Sequence, residues 1–97
     1  GKYFLTTSVG LRTILSSTDY FWCTIVTSNE LYYGDIYRFD DIANSTIDYF
    51  TMGCTIVADM DSGDTAYVQL QHLRSSDGWH INGISDPDTW FHGYLIG

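Results

Sequence analysis

The stretch Gly53–His72, GCTIVADMDSGDTAYVQLQH, decides the fold class. Cys54, Ile56, Ala58 and Met60 alternate with Thr55, Val57 and Asp59, which is the two-residue period of a strand. Asp61-Ser62-Gly63-Asp64 breaks the pattern with turn residues. Ala66, Val68 and Leu70 then alternate with Thr65, Tyr67, Gln69 and Gln71. Two half-buried strands joined by a glycine-bearing turn leave no helical reading for this part of the chain.

Outward from that stretch the same alternation recurs. Lys2–Val9 reads as a first strand, with Tyr3, Leu5, Thr7 and Val9 on one face and Phe4, Thr6 and Ser8 on the other. Gly10–Asp19 is rich in Ser and Thr and reads as a loop. Tyr20–Ser28 is dense in aromatic and β-branched residues and reads as a strand that turns at Asn29-Glu30 into Leu31-Tyr32-Tyr33, a hairpin. Gly34-Asp35 interrupts that run and Ile36–Phe39 resumes it. Ile47–Met52 leads into the central stretch, and Trp79–Ile84 and Trp90–Ile96 read as the last two strands. Pro87, with no N–H to give a ladder, marks the turn between them. Short strands at this spacing indicate an all-β antiparallel sandwich or barrel.

Composition narrows the function. Residues 1–97 make one small domain, and a chain of this size buries roughly 60–65% of its extended surface. Twelve acidic residues against four basic ones give a net charge of −8, and Lys2, Arg12, Arg38 and Arg74 are scattered, which argues against a nucleic-acid partner. No apolar run reaches the roughly 18 residues of a membrane span, so no membrane insertion is expected. Gly1 steps straight into a strand with no initiator Met, the pattern expected of the C-terminal part of a longer protein.

Four segments carry a family resemblance. GKYFLTTSV (residues 1–9) resembles the Gly-x-Tyr-x-Phe-Thr strand of complement C1q globular heads, whose jelly roll is shared with tumour necrosis factor. CTIVTS (23–28) is similar to the family's next strand. GDTAYVQL (63–70) is similar to its Gly-Asp-x-Val-Trp-Leu-Gln, with Tyr67 where Trp is usual, and TWFHGYLI (89–96) to its closing Thr-x-Phe-Ser-Gly-Phe-Leu, with His92 in place of Ser. The resemblance implies an antiparallel jelly-roll β-sandwich whose N-terminal strands are missing from this chain. It also implies that Asp61–Asp64 carries the chain from one sheet to the other instead of closing a hairpin.

The family further implies a homotrimer, with Tyr3, Phe4, Tyr67, Trp90, Phe91 and Tyr94 as core or interface aromatics. Trp79 and His80 are the ligand-facing candidates. Trp79 and Trp90 are also large enough to stack on sugar rings, although such aromatics in a small β-domain more commonly fill the core or an interface. No cofactor is expected. Some relatives bind calcium near the trimer axis, and Asp61, Asp64, Asp86 and Asp88 are the candidate ligands here, beside Asp59. His72, His80 and His92 lack metal-site spacing, and Cys23 and Cys54, each inside an apolar strand, are expected as free buried thiols. Asn44-Ser45-Thr46 is a glycosylation sequon in a secretory setting.

No Gly-x-Ser-x-Gly elbow or phosphate loop is present, and Asp86 and Asp88 flank Pro87 in a turn where nothing would raise one pKa for acid–base work. The resemblance implies a non-enzymatic head, at the virion surface or outside the cell. The closing GYLIG, the single lysine and the Ser/Thr loops look like viral members, with other virion proteins or a host-surface ligand as partners. A secreted animal ligand-recognition head is the alternative, and a polysaccharide-active enzyme a distant third.

Overall fold

The computed structural model describes residues 1–12, 20–38, 48–73, 80–81 and 89–97. Among these residues seven strands form: β1 (Lys2–Arg12), β2 (Tyr20–Thr27), β3 (Leu31–Arg38), β4 (Phe50–Asp59), β5 (Ala66–Leu73), β6 (His80–Ile81) and β7 (Trp90–Leu95). All pairings are antiparallel and fall into two sheets. In the first, β1 lies between β4 and β7, and the two-residue β6 continues along β1 where β7 leaves off. In the second, β2 lies between β3 and β5. The chain is an all-β sandwich. Because β4 and β5 belong to different sheets, the Asp61–Asp64 turn crosses between them.

The two-residue period sorts each strand into an inner and an outer row. Leu5, Val9 and Leu11 of β1, Phe21, Cys23 and Ile25 of β2, and Met52, Cys54 and Ala58 of β4 form the buried core. Phe21, Ile25, Leu11 and Met52 are almost completely removed from water, each contributing about 1.5–3 kcal/mol by burial. Tyr37 reaches the core edge from β3 and meets Phe50 edge-on at 4.8 Å.

Sequence and structure part at two places. The expected loop from Gly10 is still strand as far as Arg12, because Leu11 pairs with both Phe50 and Ile81 and is fully buried, while Thr89 Oγ1 accepts the Gly10 N–H at 3.0 Å. The rest of that loop lies outside the described residues. The Gly34-Asp35 interruption does not end a strand: β3 runs through it as a bulge, with the register shifting between Trp22 and Thr24.

One end of the sandwich is tied by polar side chains. Thr27 Oγ1 accepts the Asn29 and Glu30 N–H groups at 3.2 and 3.0 Å, closing the β2–β3 hairpin. Asn29 Nδ2 donates to Asp64 Oδ2 at 2.9 Å, joining that hairpin to the crossing turn, and Asp64 Oδ2 also accepts the Asp61 N–H at 2.8 Å. Gly63 completes the turn at φ 90°, a conformation glycine adopts without steric cost.

Candidate functional site

Pairing fixes the outer surface of the first sheet. Phe4 of β1 stands between Val57 of β4 and Tyr94 of β7. The Phe4 and Tyr94 rings are 5.1 Å apart and tilted, an attractive aromatic geometry. Tyr94 is 59% and Val57 52% exposed, so this cross-strand row is apolar and wet. The next row is polar, with Thr6 and Thr55 hydroxyls 2.8 Å apart and His92 on the far side. Beyond it Trp90 meets the His92 ring edge-on at 4.9 Å. Lys2 and Asp59, at the start of the face, form an exposed ion pair at 3.0 Å.

The inner row of β7 has a different setting. Phe91 and Leu95 point toward the second sheet, yet both stay exposed. Phe91 lines a cleft of about 500 Å³ with Thr7, Val9, Val68, Leu70 and Ile81, between β5 and β7. Gly93 stands against Leu5, where a side chain would meet the Leu5 Cδ2 methyl at 2.6 Å.

A second aromatic surface covers the outside of the other sheet. Tyr20, Trp22, Tyr33 and Ile36 line a cleft of about 320 Å³. In an unbroken strand Tyr33 and Ile36, three residues apart, would face opposite ways. The bulge at Gly34-Asp35 absorbs one residue and brings both to the outside. Trp22 Nε1 is buried with no acceptor among the described residues, a cost of about 1–3 kcal/mol. On the same face, Thr24 and Trp22 pair with Gln69 and Gln71 of β5, and Tyr67 pairs with Val26. Arg38 closes one end, its guanidinium 5.4 Å from the Tyr20 ring centre and its Nη1 donating to the Tyr20 hydroxyl at 3.4 Å.

The residues singled out from sequence are therefore dispersed. Phe4, Trp90 and Tyr94 share the outside of the first sheet, Tyr3 packs inward on the core, and Phe91 lines the inter-sheet cleft. Tyr67 lies on the outside of the other sheet, 54% exposed, so it shares no face with Phe4 and Tyr94. His80 is placed by its backbone opposite Arg12. Trp79, Asp86, Asp88 and the Asn44 sequon lie outside the described residues. Asp64 is engaged within its own turn and Asp59 with Lys2. Among the described residues no three His, Cys, Asp or Glu side chains converge as metal ligands.

Cys23 and Cys54 are buried and unbonded. Burial pushes the Cys23 thiol up to about 12, with Cys54 and Asp35 adding to the effect. Cys54 is also raised, chiefly by burial, and its Sγ lies 3.8 Å from the Tyr32 carbonyl oxygen. Both remain thiols near neutral pH, poor nucleophiles and poor metal ligands.

Sequence reasoning missed the cleft of Tyr20, Trp22, Tyr33 and Ile36. The alternation Tyr20-x-Trp22 signals one wall, but the other depends on the bulge, which the sequence marks only by Gly34. Compared with models of protein families and with curated proteins, the chain matches none.

Proposed function

We propose that this chain is a trimeric jelly-roll head of the C1q and tumour necrosis factor kind, a non-enzymatic structural and adhesion module at the end of a virion fibre or on a capsid. The observation that carries the reading is the exposed row Tyr94–Phe4–Val57, an apolar strip across the outside of the first sheet where a neighbouring subunit would pack. Two further facts support it. The segments that resemble the family's Gly-x-Tyr-x-Phe-Thr strand and its closing strand are β1 and β7, which pair side by side. The Asp61–Asp64 turn crosses between sheets, as the jelly-roll reading requires.

A stable trimer needs interfaces of about 1,200–2,000 Å² in total each, with aromatic residues at their centres. Sedimentation velocity at micromolar concentration tests this. The parent chain sediments as a trimer, and Phe4→Ser combined with Tyr94→Ser sediments as a monomer with its β-sheet circular dichroism intact. A monomeric parent overturns the proposal.

A further inference from the structure

We infer that the outer face of the β3–β2–β5 sheet binds an oligosaccharide, seating one pyranose ring in the cleft of Tyr20, Trp22, Tyr33 and Ile36. The inference deepens the adhesion half of the proposed function and rests on it for its setting. It uses the sheet opposite the trimer strip.

The chemistry of the face selects the ligand. A pyranose has a C–H face that packs on aromatic rings and a rim of hydroxyl groups that both donate and accept. The cleft supplies aromatic walls in a volume of about 320 Å³, room for one ring, and Tyr33 is 62% exposed at its mouth. Gln69 and Gln71, in register with Thr24 and Trp22, share this outer face on the side of β2 away from Tyr33 and Ile36, and an amide offers donor and acceptor together. Their own contact, Gln71 Nε2 to Gln69 Oε1, is long at 3.5 Å, so both keep capacity for hydroxyl groups. Arg38, braced on Tyr20, adds guanidinium donors at one end. The Trp22 ring lines the cleft while its Nε1 is buried, so Trp22 offers the sugar its apolar ring and not its N–H.

Other occupants fit less well. A net charge of −8, with Arg38 the one cation on this face among the described residues, opposes a nucleic acid. A purely apolar small molecule is held by burying most of its surface, which an open cleft on a sheet face does not do. A protein partner needs about 800 Å² per side, far more than a one-ring cleft.

The test is a glycan array of neutral and acidic oligosaccharides probed with the whole chain, followed by NMR titration with the glycan that binds best. Binding shifts the Trp22 indole N–H resonance. Tyr33→Ala and Gln69→Ala each weaken binding about tenfold or more, Tyr33→Phe restores it, and Tyr94→Ala on the other sheet leaves it unchanged. The inference is overturned if no glycan binds, or if binding survives both Tyr33→Ala and Gln69→Ala. It is also overturned if Tyr33→Ala changes the sedimentation coefficient while no glycan binds, which would assign the face to a protein contact. Sedimentation of the same samples separates the two proposals: a trimer that binds no glycan removes this site alone, and a glycan-binding monomer removes the trimer alone.

Discussion

Gly34 of β3 approaches Cys54 of β4 so closely that a Cβ on Gly34 would lie 2.4 Å from the Cys54 Cβ and 2.4 Å from the Gly53 carbonyl oxygen. The two sheets touch backbone to backbone at this point. Asp35, the next residue of the bulge, fixes the approach by accepting the Gly53 N–H at 2.9 Å. One glycine thus serves three features: the bulge, the seam between the sheets, and the outward placement of Tyr33 and Ile36.

Gly34→Ala is accordingly expected to be the most damaging glycine substitution among those described. The obstructing atoms are mainly backbone and cannot rotate away, so the sheets must separate, at about 3 kcal/mol or more. Urea denaturation measures it. Gly97→Ala, where a Cβ meets nothing within 4 Å, is the matched control and leaves the midpoint unchanged. Equal midpoints for the two variants would contradict the close seam.

The sheet class was legible because its signal is local. Alternation in Gly53–His72 and Lys2–Val9 reports which residues face inward, and the buried Leu5, Cys54 and Ala58 follow that period. What escaped depends on distant partners. Leu11 is strand because Phe50 and Ile81 flank it, and neither neighbour is adjacent in sequence. Tyr33 and Ile36 share a face only through an unpaired residue opposite β2. Tyr67 shows the same limit for the site. Periodicity puts it opposite Val68 but does not say which sheet β5 joins.

Gly63→Ala tests the crossing turn. A side chain at φ 90° is strained whatever the surrounding space, and the open surroundings of Gly63 leave only that term. The expected loss is about 1–2 kcal/mol. A D-alanine placed there by chemical synthesis suits positive φ and keeps the parent stability. If L-alanine were tolerated equally, the positive φ would not be required.

Gly93→Val should cost about 1–3 kcal/mol, less than the change at Gly34. Its main obstacle is the terminal methyl of Leu5, with the Phe4 carbonyl oxygen next at 3.3 Å. Leu5 can turn a methyl aside, whereas the backbone of β4 cannot. Thermal unfolding of the two variants side by side gives the order, and a larger loss at Gly93 would contradict it.

The buried thiols make stability depend on alkaline pH. Cys23 moves from its ordinary 9.0 to about 12 on folding, because burial disfavours the thiolate, and Cys54 moves the same way. Below about pH 9 both the folded and unfolded chains hold the Cys23 proton, so its contribution is full and independent of pH. Between about pH 9 and pH 12 the unfolded chain alone gives up the proton. Ionisation then favours unfolding, by up to about tenfold in the folding equilibrium per pH unit. Above that window the folded thiol ionises too and the loss levels off. Strongly alkaline solution acts on the rest of the chain as well, so the comparison needs Cys23→Ala as its reference. Urea midpoints of parent and variant, taken near pH 8 and near pH 11, isolate the thiol. The parent should lose up to about a hundredfold more of its folding equilibrium than Cys23→Ala between the two conditions. Parallel losses in the two proteins would mean that Cys23 ionises as readily folded as unfolded, and that its burial between β1, β2 and β4 is not maintained in solution.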